Sequence, residues 1–158
     1  MRDERRSMSS KKRVSYLPRG QRMLNAVFGT MVRLGVIPGA HLLSVPGRTT
    51  GKMRTTPIYV LRYEGDRWLV AGYAGSDWVK NLRAAGWCRF IHDRTEERVG
   101  VVEVEDLQVR ARVLREFVRR APGAKRGYSI SPDAPLEEFV GIAPLHPIFR
   151  ATPPAPLE

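Results

Sequence analysis

The sequence predicts an α+β domain, a mostly antiparallel sheet with flanking helices, and three observations carry that expectation. Strand-like apolar runs follow one another closely between residues 42 and 73, and such neighbours pair as antiparallel strands. Two other stretches, 21–34 and 106–121, carry their apolar groups at helical spacing. At 158 residues with one cysteine, the chain is long enough to bury a core without disulfides or metals.

Residues 1–19 hold Arg2, Arg5, Arg6, Lys11, Lys12 and Arg13 against only Asp3 and Glu4, with few large apolar groups. Such a segment cannot offset its ordering entropy by burial, so it reads as a flexible basic tail. Solubility is one role for it; electrostatic attachment to an anionic lipid surface is another. From Gln21 the pattern changes. Leu24, Val27, Phe28, Met31, Val32 and Leu34 define an amphipathic helix stopped by Gly35 and Pro38, with Met23 and Met31 expected in the core.

Strands are then predicted at Leu42–Val45, Thr55–Tyr63 and Arg67–Tyr73, the last two joined through Glu64-Gly65-Asp66 as an antiparallel pair. Ser76-Asp77 opens a helix that buries Trp78, Leu82 and Ala85 and stops at Gly86. Its free N–H groups favour an anion, although the acidic Asp77 at the same end competes with one. Cys88–His92 and Arg98–Glu105 read as two further strands, and Cys88 as a buried structural thiol. The clearest helix spans Asp106 to Ala121, with Val109, Val113, Leu114, Phe117 and Val118 buried and Arg110, Arg112, Arg115, Arg119 and Arg120 outside. Pro122 to Pro144 is predicted as a covering loop. Ile142 to Arg150 is the last strand, at an edge because Pro144 and Pro147 cannot donate, and 151–158 is a Pro-rich tail.

The net charge of +11 and a pI near 10.6 favour an anionic partner. Nucleic acid is not expected, because no recognisable module or aromatic-interleaved basic helix is present. No apolar run is long enough to cross a bilayer, and no signal-peptide core follows the charged N-terminus. The expectation is therefore a cytoplasmic protein, with peripheral contact at the inner face of the cell membrane left open. Metal catalysis is poorly supported, since His41, His92 and His146 are far apart in sequence and no ligand-spaced pair accompanies them. No G-x-S-x-G nucleophile elbow occurs either.

The chemistry concentrates between Leu42 and Pro57. An apolar run reaches the Gly-bracketed, cationic turn Gly47-Arg48-Thr49-Thr50-Gly51-Lys52-Met53-Arg54 and leaves through Thr55-Thr56-Pro57. Arg48 and Arg54 offer planar, permanently charged forks, Thr49 and Thr50 offer hydroxyls, and the glycines let backbone N–H groups approach a ligand. This is a phosphate grip of neither the Walker A nor the dinucleotide-binding kind, since Lys52 stands where the former needs glycine and no G-x-G-x-x-G occurs. A hairpin turn whose cations are only solvated fits the same pattern.

That turn, followed by Trp68 to Gly75, by Trp78-Val79-Lys80-Asn81-Leu82-Arg83-Ala84 and by the closing His146-Pro147-Ile148-Phe149-Arg150, resembles the deazaflavin (F420)-dependent nitroreductase family of actinobacterial oxidoreductases over roughly residues 20–150. The resemblance implies a split β-barrel related to flavin reductases and pyridoxamine-phosphate oxidases. It also implies coenzyme F420 as cofactor, with Arg48, Thr49, Thr50, Gly51, Lys52, Arg54 and Pro57 at its phosphate. Ala71, Tyr73 and Ala74 would lie beside the deazaflavin ring, and Trp78 and Asn81 on the helix that follows. Thr49 stands where many relatives carry a lysine, with Lys52 the candidate replacement. Tyr73-Ala74 stands where relatives frequently show Ser-Lys, which leaves nitro reduction itself open. Tyr73 and Tyr128 are the candidate catalytic residues, Tyr128 as proton donor or pocket lid.

The function this implies is hydride transfer from the reduced deazaflavin to a small, flat, electron-poor acceptor such as a quinone or nitroaromatic, by a monomer or homodimer. An FMN-binding split-barrel reductase is the alternative, because a phosphate turn by itself does not separate a monoester from a diester. A non-catalytic protein that binds cofactor or anionic membrane is the second alternative.

Overall fold

In a computed structural model, which describes residues 29–31, 34–36 and 38–153, seven strands form one antiparallel sheet. They are β1 (Ala40–Pro46), β2 (Met53–Tyr59), β3 (Leu61–Tyr63), β4 (Asp66–Val70), β5 (Trp87–His92), β6 (Thr95–Glu103) and β7 (Ile148–Thr152). Their order across the sheet is β2-β1-β5-β6-β7-β4-β3. The flanking helices are α1 (Asp77–Ala85), α2 (Leu107–Arg120), α3 (Ala124–Gly127) and α4 (Leu136–Ile142), the last running into a 3-10 turn at Ala143–Leu145. The basic tail 1–19, residues 21–28 of the first predicted helix and the tail beyond residue 153 lie outside the described residues. Residues 29–31 are helical, but Met31, expected in the core, is 44% exposed.

One residue closes the barrel. β2 and β3 stand at opposite ends of the strand order, yet only Val60 separates them in sequence. The two ends of the sheet must therefore meet at that point, which curls seven strands into a split barrel. Val60 is buried, and its N–H donates to the Gly39 carbonyl at 2.9 Å, so the corner is pinned to the start of β1. The predicted continuous strand Thr55–Tyr63 is accordingly two strands serving opposite ends of the sheet.

Inward-facing residues of alternate strand positions fill the barrel: Leu43, Val45, Leu69, Cys88, Phe90, Val99 and Phe149 are all nearly inaccessible, and α1 covers them with Val79 and Leu82. A second core forms where α2 and α4 pack on Leu61, Trp68, Val70 and Ile148. The α2 stripe is Ala111, Val113, Leu114 and Val118, after an Asp106 cap that accepts from the Gln108 and Val109 N–H groups. Arg110 is not on the outside as predicted; its guanidinium folds inward to the Val104 and Ala143 carbonyls and to Glu103.

The C-terminal third departs most from expectation. The predicted loop 122–144 contains α3, α4 and the 3-10 turn, because Phe139 at 0% exposure and the surrounding apolar groups find a partner in α2. The last strand begins at Ile148 and is internal, paired with β4 on one side and β6 on the other. Pro144 and Pro147 precede it, so neither removes a ladder donor. Ala151 and Thr152 belong to this strand, not to the tail. β4 likewise stops at Val70, leaving residues 71–76 as a loop.

Candidate functional site

The cationic turn is closed by its own backbone: Gly47 N–H donates to the Lys52 carbonyl and Gly51 N–H to the Gly47 carbonyl, both at 2.8 Å. Gly51 sits at φ +72°, a conformation that a side chain would strain. The turn joins β1 to β2 in the register Ser44 opposite Thr55 and Pro46 opposite Met53, which sets Arg54 opposite Val45 and into the same cleft as Arg48.

Across from this turn lies α1. Its cap residue Ser76 spends its hydroxyl on the Tyr73 carbonyl at 2.8 Å and leaves the helix without a side-chain cap. Arg48 is the link between the two. Its backbone N–H and Nη1 both donate to Asn81 Oδ1, at 3.1 and 2.8 Å, and Nη2 pairs with Asp77 at 3.2 Å. Asn81 is only 4% exposed, so this side chain is buried on the helix and committed to the turn.

Together they enclose a cleft of about 600 Å³ lined by Val45, Gly47, Arg48, Thr49, Thr50, Arg54, Thr55, Thr56, Asp77, Trp78 and Asn81. Of the residues singled out in the sequence, Arg48, Thr49, Thr50, Arg54, Trp78 and Asn81 are brought together here. Gly51 and Lys52 belong to the turn without lining the cleft, and Pro57 lies further along β2. Lys52 therefore does not replace, in the wall, the cation that Thr49 lacks. Arg54 makes no ion pair among the described residues, which leaves its charge available to a ligand.

The 71–75 loop stands apart from this wall. Ala71 is fully buried, its N–H donating to the Pro147 carbonyl and its own carbonyl accepting from His146 Nδ1 at 3.0 Å. Tyr73 is 71% exposed at the tip, with its ring folded over Gly75, and neither Tyr73 nor Ala74 lines the cleft. Tyr128 packs beneath this loop, 5.0 Å from the His146 ring and edge-on to Phe117. Its hydroxyl is buried without a hydrogen-bond partner among the described residues, and burial pushes it up to about 12. A hydroxyl held that far above neutrality is a poor proton donor near pH 7.

The histidines are structural. Each donates from Nδ1 to a backbone carbonyl, His41 to Gly39, His92 to Ala40 and His146 to Ala71. His41 and His92, distant in sequence, stack with ring centres 4.5 Å apart, and no metal-holding cluster exists among the described residues. Cys88 is fully buried, its thiol pushed up to about 12 by desolvation.

The role of Asp77 and Asn81 as holders of Arg48 was not legible beforehand. The pairs are 29 and 33 residues apart, and no local spacing links them. The donor set suits a phosphate anion: two arginines, four threonines and a helix start without a side-chain cap line one cavity of cofactor size.

A family model described as F420H(2)-dependent quinone reductase matches residues 19–137. No curated protein sequence matches the chain. Among solved structures, one described as an F420-H2-dependent reductase aligns with TM-score 0.50 at 17% identity, covering 73% of this chain and 95% of its own. A conserved hypothetical protein from Mycobacterium tuberculosis aligns with TM-score 0.53 at 19% identity, covering 82% and 80%. A structure described as a domain-swapped dimer aligns with TM-score 0.53 at 17% identity, covering 84% and 96%. At these identities the structures establish the shared fold.

Proposed function

The chain belongs to the F420H(2)-dependent quinone reductase family, with coenzyme F420 as its cofactor, and from that membership we propose that the cleft between the cationic turn and α1 holds the coenzyme's phosphate. The observation that carries the reading is the convergence of Arg48, Arg54, Thr49 and Thr50 on one cavity whose other wall is the start of α1. Arg48 is oriented by Asn81 before any ligand arrives, so little side-chain entropy is left to lose on binding. Arg54 supplies the second charge-assisted contact, and the threonine hydroxyls supply donors between the two.

Bound in reduced form, the deazaflavin supplies a hydride to an electron-poor acceptor. The protein's part is to fix the coenzyme at its phosphate, to set the distance to the acceptor and to exclude water. Trp78, half-buried in the cleft wall and tilted against Phe149, provides an apolar flank. The 71–75 loop with Tyr73 at its tip is the proposed ring-side element, and a small, flat quinone is the acceptor class we favour. Tyr128 serves in this reading as a support for that loop.

The test is a fluorescence titration with F420 of the wild type and of Arg48→Ala/Arg54→Ala. Each lost charge-assisted bond costs roughly 1.5–3 kcal/mol, so the double change weakens affinity by about two orders of magnitude or more. Unchanged affinity would remove the phosphate from this cleft. The structural neighbour described as a domain-swapped dimer favours a homodimer, which light scattering reads as twice the 17.9 kDa chain mass.

A further inference from the structure

Among the described residues Asp77 is the one carboxylate in the cleft wall, and it lies where a phosphate has to compete with it. Its Oδ1 is 3.2 Å from Arg48 Nη2, its side chain is 83% exposed, and it occupies the first turn of α1. Two guanidiniums against one carboxylate leave the lining with a single net positive charge. A phosphodiester brings one negative charge to such a wall. A phosphomonoester near neutrality brings between one and a half and two, its second ionisation falling at about pH 6.

We propose that Asp77 is a charge filter: it holds half of the Arg48 fork and repels the second charge of a monoester, so the cleft selects a phosphodiester cofactor over a phosphomonoester such as FMN. This inference rests on the placement of the cofactor phosphate proposed above. The selection is electrostatic and follows from charge count, not from shape, since the cavity walls near the phosphate are the same for both. Two like charges about 5 Å apart at such a solvent-exposed site repel enough to change affinity roughly three- to tenfold at low salt, and salt screens the effect.

The experiment titrates F420 and FMN, each by fluorescence at low and at high salt, into the wild type, Asp77→Asn and Asp77→Glu. The expected result is that Asp77→Asn tightens FMN by about three- to tenfold more than it tightens F420, that Asp77→Glu preserves the wild-type ratio, and that high salt erases the difference. An FMN-to-F420 ratio equal in wild type and Asp77→Asn overturns the filter and leaves the phosphate site standing. Wild type that binds FMN but not F420 overturns both the cofactor placement and the filter. Absence of binding of either compound to all three proteins overturns both. The high exposure of Asp77 means that neither substitution disturbs the packed core.

Discussion

Asn81 Oδ1 accepts two hydrogen bonds from a single residue, from the Arg48 backbone N–H at 3.1 Å and from its Nη1 at 2.8 Å. One buried amide oxygen thus fixes both the path of the turn and the direction of its guanidinium, tying β1's exit to the middle of α1.

Asn81→Ala removes that anchor. The Arg48 N–H and fork lose their shared acceptor, which costs about 1–2 kcal/mol of stability in a urea melt. The same variant weakens F420 binding by about tenfold, because Arg48 must then be ordered by the ligand itself. A stability loss with unaltered binding would reduce Asn81 to a packing residue.

Leu82 sits one position further along α1 and is fully buried against the barrel core. Leu82→Ala leaves a cavity and destabilises the protein by about 2–5 kcal/mol in chemical denaturation. Since α1 carries Asp77, Trp78 and Asn81, loosening its seat also lowers cofactor affinity. Arg83, bidentate to Glu103 on β6 at 2.7 and 2.8 Å, adds a surface tie between the helix and the sheet.

Two buried acids weaken the fold at alkaline pH. Burial raises the Cys88 thiol from 9.0 to about 12 and the Tyr128 hydroxyl from 10.0 to about 12. Each is neutral in the folded state while the unfolded chain already ionises, so the stability present below pH 9 is lost as pH rises toward 12. Cys88→Ala removes the part of the decline that begins near pH 9, and Tyr128→Phe the part that begins near pH 10, both read from urea midpoints across that range. Cys88 is also expected to resist alkylation in the folded protein at pH 8 and to react after denaturation.

His41 acts in the opposite direction. Desolvation holds its imidazole below the ordinary 6.5, with His92, Arg62 and Arg67 adding to the effect and the Gly39 carbonyl opposing it. The unfolded chain therefore binds a proton more readily, so stability falls as pH drops below 6.5. His41→Gln is expected to flatten the dependence of Tm on pH between 7.5 and 5, whatever it does to Tm at pH 7.5.

Local chemistry carried much of the fold. The Gly47 to Arg54 turn, the Gly86 stop, the buried stripe of Val113, Leu114 and Val118 and the buried thiol of Cys88 were each readable from a few adjacent residues, because each is governed by short-range backbone preference or by a face that must be buried. The errors fall where a distant partner decides. Residues 136–142 became a helix because α2 offers Phe139 a place to bury, and β7 became internal because β4 and β6 both had an unpaired edge to offer it. Arg110 turned inward because the carbonyls of Val104 and Ala143 and the carboxylate of Glu103 lay within its reach.

The sequence by itself determined a cationic, Gly-bracketed turn, a helix start downstream of it and the residue types suited to an anion, since charge and backbone freedom are properties of the residues themselves. Only the tertiary structure decided that Val60 rolls the sheet so that its ends meet, that Arg48 reaches across 33 residues to Asn81, and that Asp77 shares the cleft with the two arginines. Those relations depend on strand order and on how α1 lies over the barrel mouth, which are set by the burial of many apolar groups together and leave no trace in any single stretch of the chain.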